Sequence, residues 1–469
     1  MTRLGVFTII LCTAALLAQT AQAATWEETL TSPWKFFLTG LAVDGNGVPY
    51  INGENAQHVS NVRAKQPDGT WPTVYSHSVR NTRDSCMGMF TNGNVISIND
   101  DEGRTHPVED ENYGIVEGKY GPRDTSYNVY DVATDTWGTQ AWLNFYMGDP
   151  SVDVDGPALS DVHIFGRYAD RSSGQQTEFG TGPYDGQGFS GNPAYAYYDS
   201  GQSQWVMESV AAPTQWVNAG SGHRIRTDSS GNPSVLFYIQ DGGETQGMNF
   251  YSRDGSGAWT GELIPDTGGG GGNYPSKGAF AYYNDVPYVA WLKEDDSNEE
   301  ETRHGRLYLS YKDGGSWTST LLDEDFLSTS INIAGIDVDI DIVDDETSDF
   351  DGYMAISYSH LTDPNPDGDP GTVDTDGEAR IMVLNSSMEV VESVELDGTT
   401  AATYDPEVDR LGYKLNNIEI LPNGIVHTTY SSHRGSGGDR KDLWHAVAQL
   451  DSPVLLGDFD GNGAVNGLD

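Results

Sequence analysis

Apolar and polar residues alternate with a period of two through much of the chain, in short runs entered by Gly, Asn or Asp. The runs are Asp44–Ile51, Asn92–Ile98, Asp161–Tyr168, Asp228–Tyr238, Asn284–Trp291, Asp351–Tyr358 and Asn423–Tyr430. Each reads as a turn feeding a β-strand, from its alternation and its β-branched and aromatic content. A second unit follows most copies: an aromatic strand, a tight Asp/Gly turn, and a Trp opening another strand. Phe250–Trp259 and Leu309–Trp317 are the clearest cases, and looser ones end at Trp71, Trp137 and Trp205.

Two units of two strands make four short strands per repeat, which is one blade of a β-propeller. The expected fold is therefore all-β, a seven-bladed β-propeller. The seventh copy reaches Leu443–Leu450 without a Trp-led outer strand, whereas Thr25–Leu30 near the start resembles Ala258–Leu263. The N-terminal strand is thus expected to close the last blade and remove a free sheet edge. Seven copies allot about 64 residues to each, above the ~40–50 of common repeats. The surplus is assigned to loops, chiefly 104–125, 170–192 and 362–379.

The Trp-closed hairpins resemble degenerate Asp-box (BNR) repeats of sialidase-like propellers. Ser252, Asp254 and Trp259 keep that spacing, with Ser256 where the middle glycine would stand. What the resemblance implies is structural, since such hairpins are folding units; function has to come from a site.

Composition narrows the setting. With 25 Lys+Arg against 70 Asp+Glu the net charge is −45, which argues against a nucleic-acid partner. Arg3, the apolar run Val6–Leu17 and the small-x-small triplet Ala21-Gln22-Ala23 read as a signal peptide over residues 1–23. Nothing later approaches the ~18 apolar residues of a membrane span. A secreted or cell-surface monomer is expected, with the propeller over 24–452. Of the two cysteines only Cys86 remains after cleavage, so no intrachain disulfide and no Cys-based zinc site can form.

The stub 453–469 carries a different motif. Asp458, Asp460, Asn462, Asn466 and Asp469 place oxygens at positions 1, 3, 5, 9 and 12 of a loop. Gly463 takes the sharp turn at position 6, and the Ala464 carbonyl supplies position 7. The pattern reads as a Ca²⁺ loop, with low affinity expected of a lone half-loop, and it resembles the first calcium loop of a dockerin module. The resemblance implies a cohesin-type partner if the second half of such a module exists, and polysaccharide-degrading company.

Propellers bind ligands at the mouth of the channel, on loops before each innermost strand and between the second and third strands. Lys35, Arg83, His223, Arg224, Lys277 and Lys414 precede innermost strands, while His106 and Arg167 lie in or beside the other loops. Such cations in so acidic a chain suggest a positive funnel and an anionic ligand. Tyr238, Trp291, Tyr358 and Tyr430 end second strands and offer rings that could stack on sugars or fill cores.

An extracellular polysaccharide, acidic and uronate-containing, fits these types. In β-elimination a Tyr or His takes the proton alpha to the carboxylate while Arg or His neutralises the acid. His223, Arg224, Tyr238 and His106 are the catalytic candidates; Lys35, Arg83, Arg167, Lys277, Trp291, Tyr358, Lys414 and Tyr430 are the substrate-binding ones. The set resembles that of propeller polysaccharide lyases, including those acting on ulvan, although Arg83–His106 holds only the second member of the expected His pair. A sialidase-like glycosidase, with two convergent carboxylates, and a non-catalytic binding or scaffold protein remain the alternatives.

Overall fold

The computed structural model describes residues 24–32, 39–54, 59–80, 85–101, 124–143, 145–168, 193–211, 217–218, 223–239, 246–267, 277–295, 303–328, 337–362, 376–396, 410–411, 417–434 and 440–451. Seven small antiparallel sheets account for nearly all of them, with one 3₁₀ turn at Leu159–Asp161. Blade 3 is typical: Met147–Val154, Val162–Tyr168, Pro193–Asp199 and Gln204–Ser209 pair in order from inside to outside. The innermost strands start at Gly40, Ser85, Met147, Ile225, Lys277, Val338 and Asn417. Each touches the next around the ring, and the last touches the first. The fold is the seven-bladed propeller expected from the repeats.

Closure also follows the expectation. Glu27–Ser32 is the outermost strand of blade 7 and pairs with Arg440–Gln449, Glu27 opposite Val447 and Thr29 opposite His445. Thr31 Oγ1 donates to the Leu443 carbonyl at 2.8 Å, and Trp26 packs on the core of blades 6 and 7.

The recurrent acidic turns have a local cause. Asp254 Oδ1 accepts the N–H groups of Ser256 and Ala258 at 2.8 and 2.9 Å. Asp44 and Asp228 hold their own turns in the same way. Gly47, Gly231 and Gly257 supply the positive φ that these turns require. Part of the acidic excess is thus spent on turns.

Most seams between blades are apolar. Leu236, Tyr238, Met248, Phe250, Phe280, Val289 and Trp291 fill the one between blades 4 and 5. The seam between blades 1 and 2 is apolar only in part. Beyond Tyr50, Val62, Met87 and Tyr130 it continues as a buried polar layer. There Asn52 donates to Ser97 at 2.9 Å, Ser85 to Asn99 at 2.9 Å, and Asn99 Nδ2 lies 2.9 Å from His77 Nε2.

Burial holds several histidines neutral. It pushes His77 down to about 3 and, with help from nearby cations, His427 and His360 down to about 4; His445 is also well below its usual value. A lowered histidine stabilises the fold fully above the unfolded value of 6.5 and loses that contribution as pH falls toward the folded value. Asp337 and Asp341, raised to about 6, act in the opposite sense and offset part of the loss. The melting temperature should therefore fall as pH is lowered from about 7 to 4. In a D341N variant the fall should be steeper, because Asp341's share of the offset is gone. A flat profile would contradict the assignment.

Candidate functional site

In an up-and-down blade, innermost-strand starts, second-strand ends and third-strand starts share one edge. Register places the candidate residues there: Lys277 lies opposite Leu292, Tyr358 opposite Val338, and Tyr238 opposite Met248. Lys35, Arg83, His106 and Lys414 lie outside the described residues, as do Asp458, Asp460, Asn462, Ala464, Asn466 and Asp469 of the calcium loop. Among the described residues no group of three or more His, Cys, Asp or Glu side chains could hold a metal. None of their helices could cross a membrane.

The channel is braced by charge. The backbone N–H of His223 donates to Asp339 Oδ1 at 2.7 Å, and its ring Nδ1 lies 3.1 Å from Asp339 Oδ2. Its Nε2 is 3.6 Å from Glu419 Oε1. Burial and Arg226 push the imidazole down, but Asp339 and Glu419 outweigh them and raise it to about 10, so it is protonated. Arg226 bridges Asp153 and Asp341, each at 3.3 Å. The contacts to Asp339 and Asp341 run from blade 4 to blade 6, skipping blade 5, and that to Glu419 reaches blade 7, so they cross the channel; the contact to Asp153 joins the neighbouring blade 3.

The same carboxylates satisfy backbone donors that parallel inner strands cannot pair. Asp339 accepts Ile418 N–H and Asp341 accepts Ile420 N–H, both at 3.0 Å; Asp153 accepts Thr227 N–H at 2.8 Å. Burial raises Asp337 against the opposing pull of Lys277 and Arg224. Burial and Glu419 raise Asp341 against Arg226 and His223. His223, Arg224, Arg226 and Lys277 thus face Asp153, Asp337, Asp339, Asp341 and Glu419. Where it is described, the channel is charge-matched rather than positive.

The side chains of His223, Arg224 and Tyr238 do not converge. His223 points across the channel, and Tyr238 joins the core between blades 4 and 5. Arg224 turns toward blade 3, where Nη2 donates to the Asp149 carbonyl at 2.9 Å and the guanidinium lies 5.9 Å from the Phe165 ring. Arg167 is half-buried opposite Gly148 and Pro193. The four aromatics fill seams: Tyr238 is 3 % exposed, and Trp291, Tyr358 and Tyr430 are 1 % exposed. Trp291 stacks on Tyr308 at 4.5 Å and donates to Ser310 at 2.8 Å. The Tyr430 hydroxyl donates to Glu28 of the closing strand.

The same face carries a second group, over blades 4, 5 and 6. Tyr358 donates to Asp323 Oδ2 at 2.6 Å, and Arg380 Nη1 stands 3.6 Å from the same oxygen. His360, two residues along from Tyr358, is lowered to about 4 by burial and by Arg380, so its imidazole is neutral at pH 7. Across blade 5, Lys293 Nζ donates to the Asp266 carbonyl at 2.9 Å, and Arg306 Nε is 4.0 Å from Glu324. Sequence reasoning missed Asp323, Arg380, Lys293 and Arg306, which lie within strands rather than in the loops searched. The signal that finds them is register, since Arg380 is the direct partner of Tyr358, and Arg306 that of Lys293.

No protein-family model matches the chain, and no curated protein matches it. Among solved structures, a lectin from Burkholderia pseudomallei is similar with a TM-score of 0.48 and 10% identity, over 91% of this chain and 100% of that one. A polysaccharide lyase described as an ulvan lyase gives 0.42 and 11% over 78% and 82%. An α-L-arabinofuranosidase from Fusarium graminearum gives 0.42 and 9% over 92% and 98%. Likenesses this distant carry no argument about activity.

Proposed function

We propose that the protein holds an acidic extracellular polysaccharide on the channel-mouth face, over blades 4 to 6. The observation that carries this reading is the group of partly exposed cations there, Lys293, Arg306 and Arg380. Only 25 residues of the whole chain are Lys or Arg. The ion pairs of Arg306 and Arg380 are long, at 4.0 and 3.6 Å. A uronate carboxylate can form a bidentate, charge-assisted pair with a guanidinium. The chemistry these residues suit is β-elimination: neutral His360 takes the proton alpha to the carboxylate, and Arg380 stabilises the enolate-like charge. The C4–C5 double bond forms as the C4–O bond breaks, and the leaving oxygen takes a proton from water. Binding without cleavage is the second reading, favoured by the burial of His360 and Tyr358, at 4 % and 1 % exposure.

Incubation with uronate-containing and neutral polymers separates the readings. Unsaturated uronate absorbance with new reducing ends means elimination; retention with neither means binding. R380A should weaken acidic-polymer binding about tenfold, the loss of one charge-assisted contact, and leave neutral polymers unaffected. H360N should abolish unsaturated product while sparing retention. Equal retention of acidic and neutral polymers by the wild type would overturn the proposal.

A further inference from the structure

The closing strand is entered through Ala24, whose nitrogen faces a carboxylate of the neighbouring blade. The Ala24 nitrogen donates to Glu392 Oε2 at 3.3 Å in a part-buried contact. Glu392 belongs to Val390–Leu396, the outermost strand of blade 6. Ala24 and Trp26 pack on the cluster that joins blades 6 and 7, as does Val394 of that same strand. Farther along, Glu28 accepts the Tyr430 hydroxyl of blade 7, and Glu27 Oε1 is 3.1 Å from Lys65 Nζ of blade 1. The first five residues described therefore reach three consecutive blades.

Ala21-Gln22-Ala23, immediately before Ala24, has the small-x-small form that processing peptidases recognise. We propose that the Ala23–Ala24 bond is the cleavage site of a leader, and that Glu392 receives the ammonium that cleavage creates at Ala24. Hydrolysis adds water across this amide. The hydroxyl goes to the Ala23 carbonyl carbon, which leaves as a carboxylate; the nitrogen keeps its electron pair, gains a hydrogen and takes up the proton released by the new acid. A neutral amide against Glu392 becomes a full cation with three donors, and charge-assisted bonds are about twice as strong as neutral ones. Glu27 and Glu28 are already engaged by Lys65 and Tyr430, which leaves Glu392 as the carboxylate in contact with the Ala24 nitrogen. Removal of the leader and docking of the closing strand are thereby linked. The inference is independent of any ligand.

The test uses the whole chain, exported with its own leader. Sequencing the secreted protein should return Ala24 as its first residue. The α-amine should then titrate, by pH-dependent acylation, about half a unit higher in the wild type than in E392Q, the size expected of a partly exposed ion pair. E392D keeps the carboxylate and should retain most of that shift; native circular dichroism confirms that each variant is folded. A different first residue would overturn the cleavage site. Equal titration of wild type and E392Q would overturn the pairing.

Discussion

Deleting residues 24–32 is expected to lower the melting temperature by about 5 °C or more and to make the protein prone to association. The deletion removes the whole outer strand of blade 7, paired from Glu27–Val447 to Ser32–Leu443. It also removes the Thr31–Leu443 bond, the Glu28–Tyr430 bond and the packing of Trp26 on the core. Each lost hydrogen bond is worth about 1 kcal/mol and the uncovered indole about 2 kcal/mol, so about 5 kcal/mol in total is a conservative sum. In a chain of this size that corresponds to roughly 5 °C. The bared edge of Arg440–Gln449 would present unpaired N–H and C=O groups, a template for pairing with a second molecule. Scanning calorimetry with light scattering checks both parts. A synthetic 24–32 peptide added in excess should recover part of the lost stability. An unchanged transition in the deletion variant would show that blade 7 does not depend on this strand.

The second large effect is expected at Asp339. This carboxylate is fully buried, accepts the N–H groups of His223 and Ile418, and faces the His223 ring. D339A would strand two buried donors and an imidazolium, at a cost of about 3–5 kcal/mol. D339N keeps the shape but not the charge, and it isolates the ionic part. In the wild type His223 is raised from 6.5 to about 10. Its contribution is therefore complete below the unfolded value and is lost as pH rises toward the folded one. Wild-type stability should decline between pH values of about 7 and 9, and D339N should remove most of that decline. D339A as stable as the wild type, or an unchanged alkaline slope in D339N, would show that the channel brace carries no weight.

What the sequence determined by itself was the repeat and its closure. Alternation in runs such as Asp228–Tyr238, with Asp and Gly at their turns, is a local property. Each blade forms from neighbours in the chain, so seven copies and a matching N-terminal strand sufficed to specify the ring. Asp254 and its turn could be recognised for the same reason, because all of its partners lie within four residues.

The site was not legible in this way. His223 and Arg224 are adjacent in sequence and stand before an innermost strand, as expected, yet their side chains leave in different directions. His223 meets Asp339, 116 residues later and two blades on, and that partner exists only once the ring has closed. Tyr358 and Tyr430 lie in second strands but do not end them, since Met354–Thr362 and Ile425–Arg434 each run four residues further. Successive residues of a strand alternate between the two faces of the sheet, and these two rings point into seams. Which cations remain partly exposed was likewise settled by packing. Among 70 carboxylates, no spacing rule tells which will bridge to Arg226 and which will stand beside Arg380. Local periodicity specifies strands and turns; charge pairing across a channel is a property of the assembled ring.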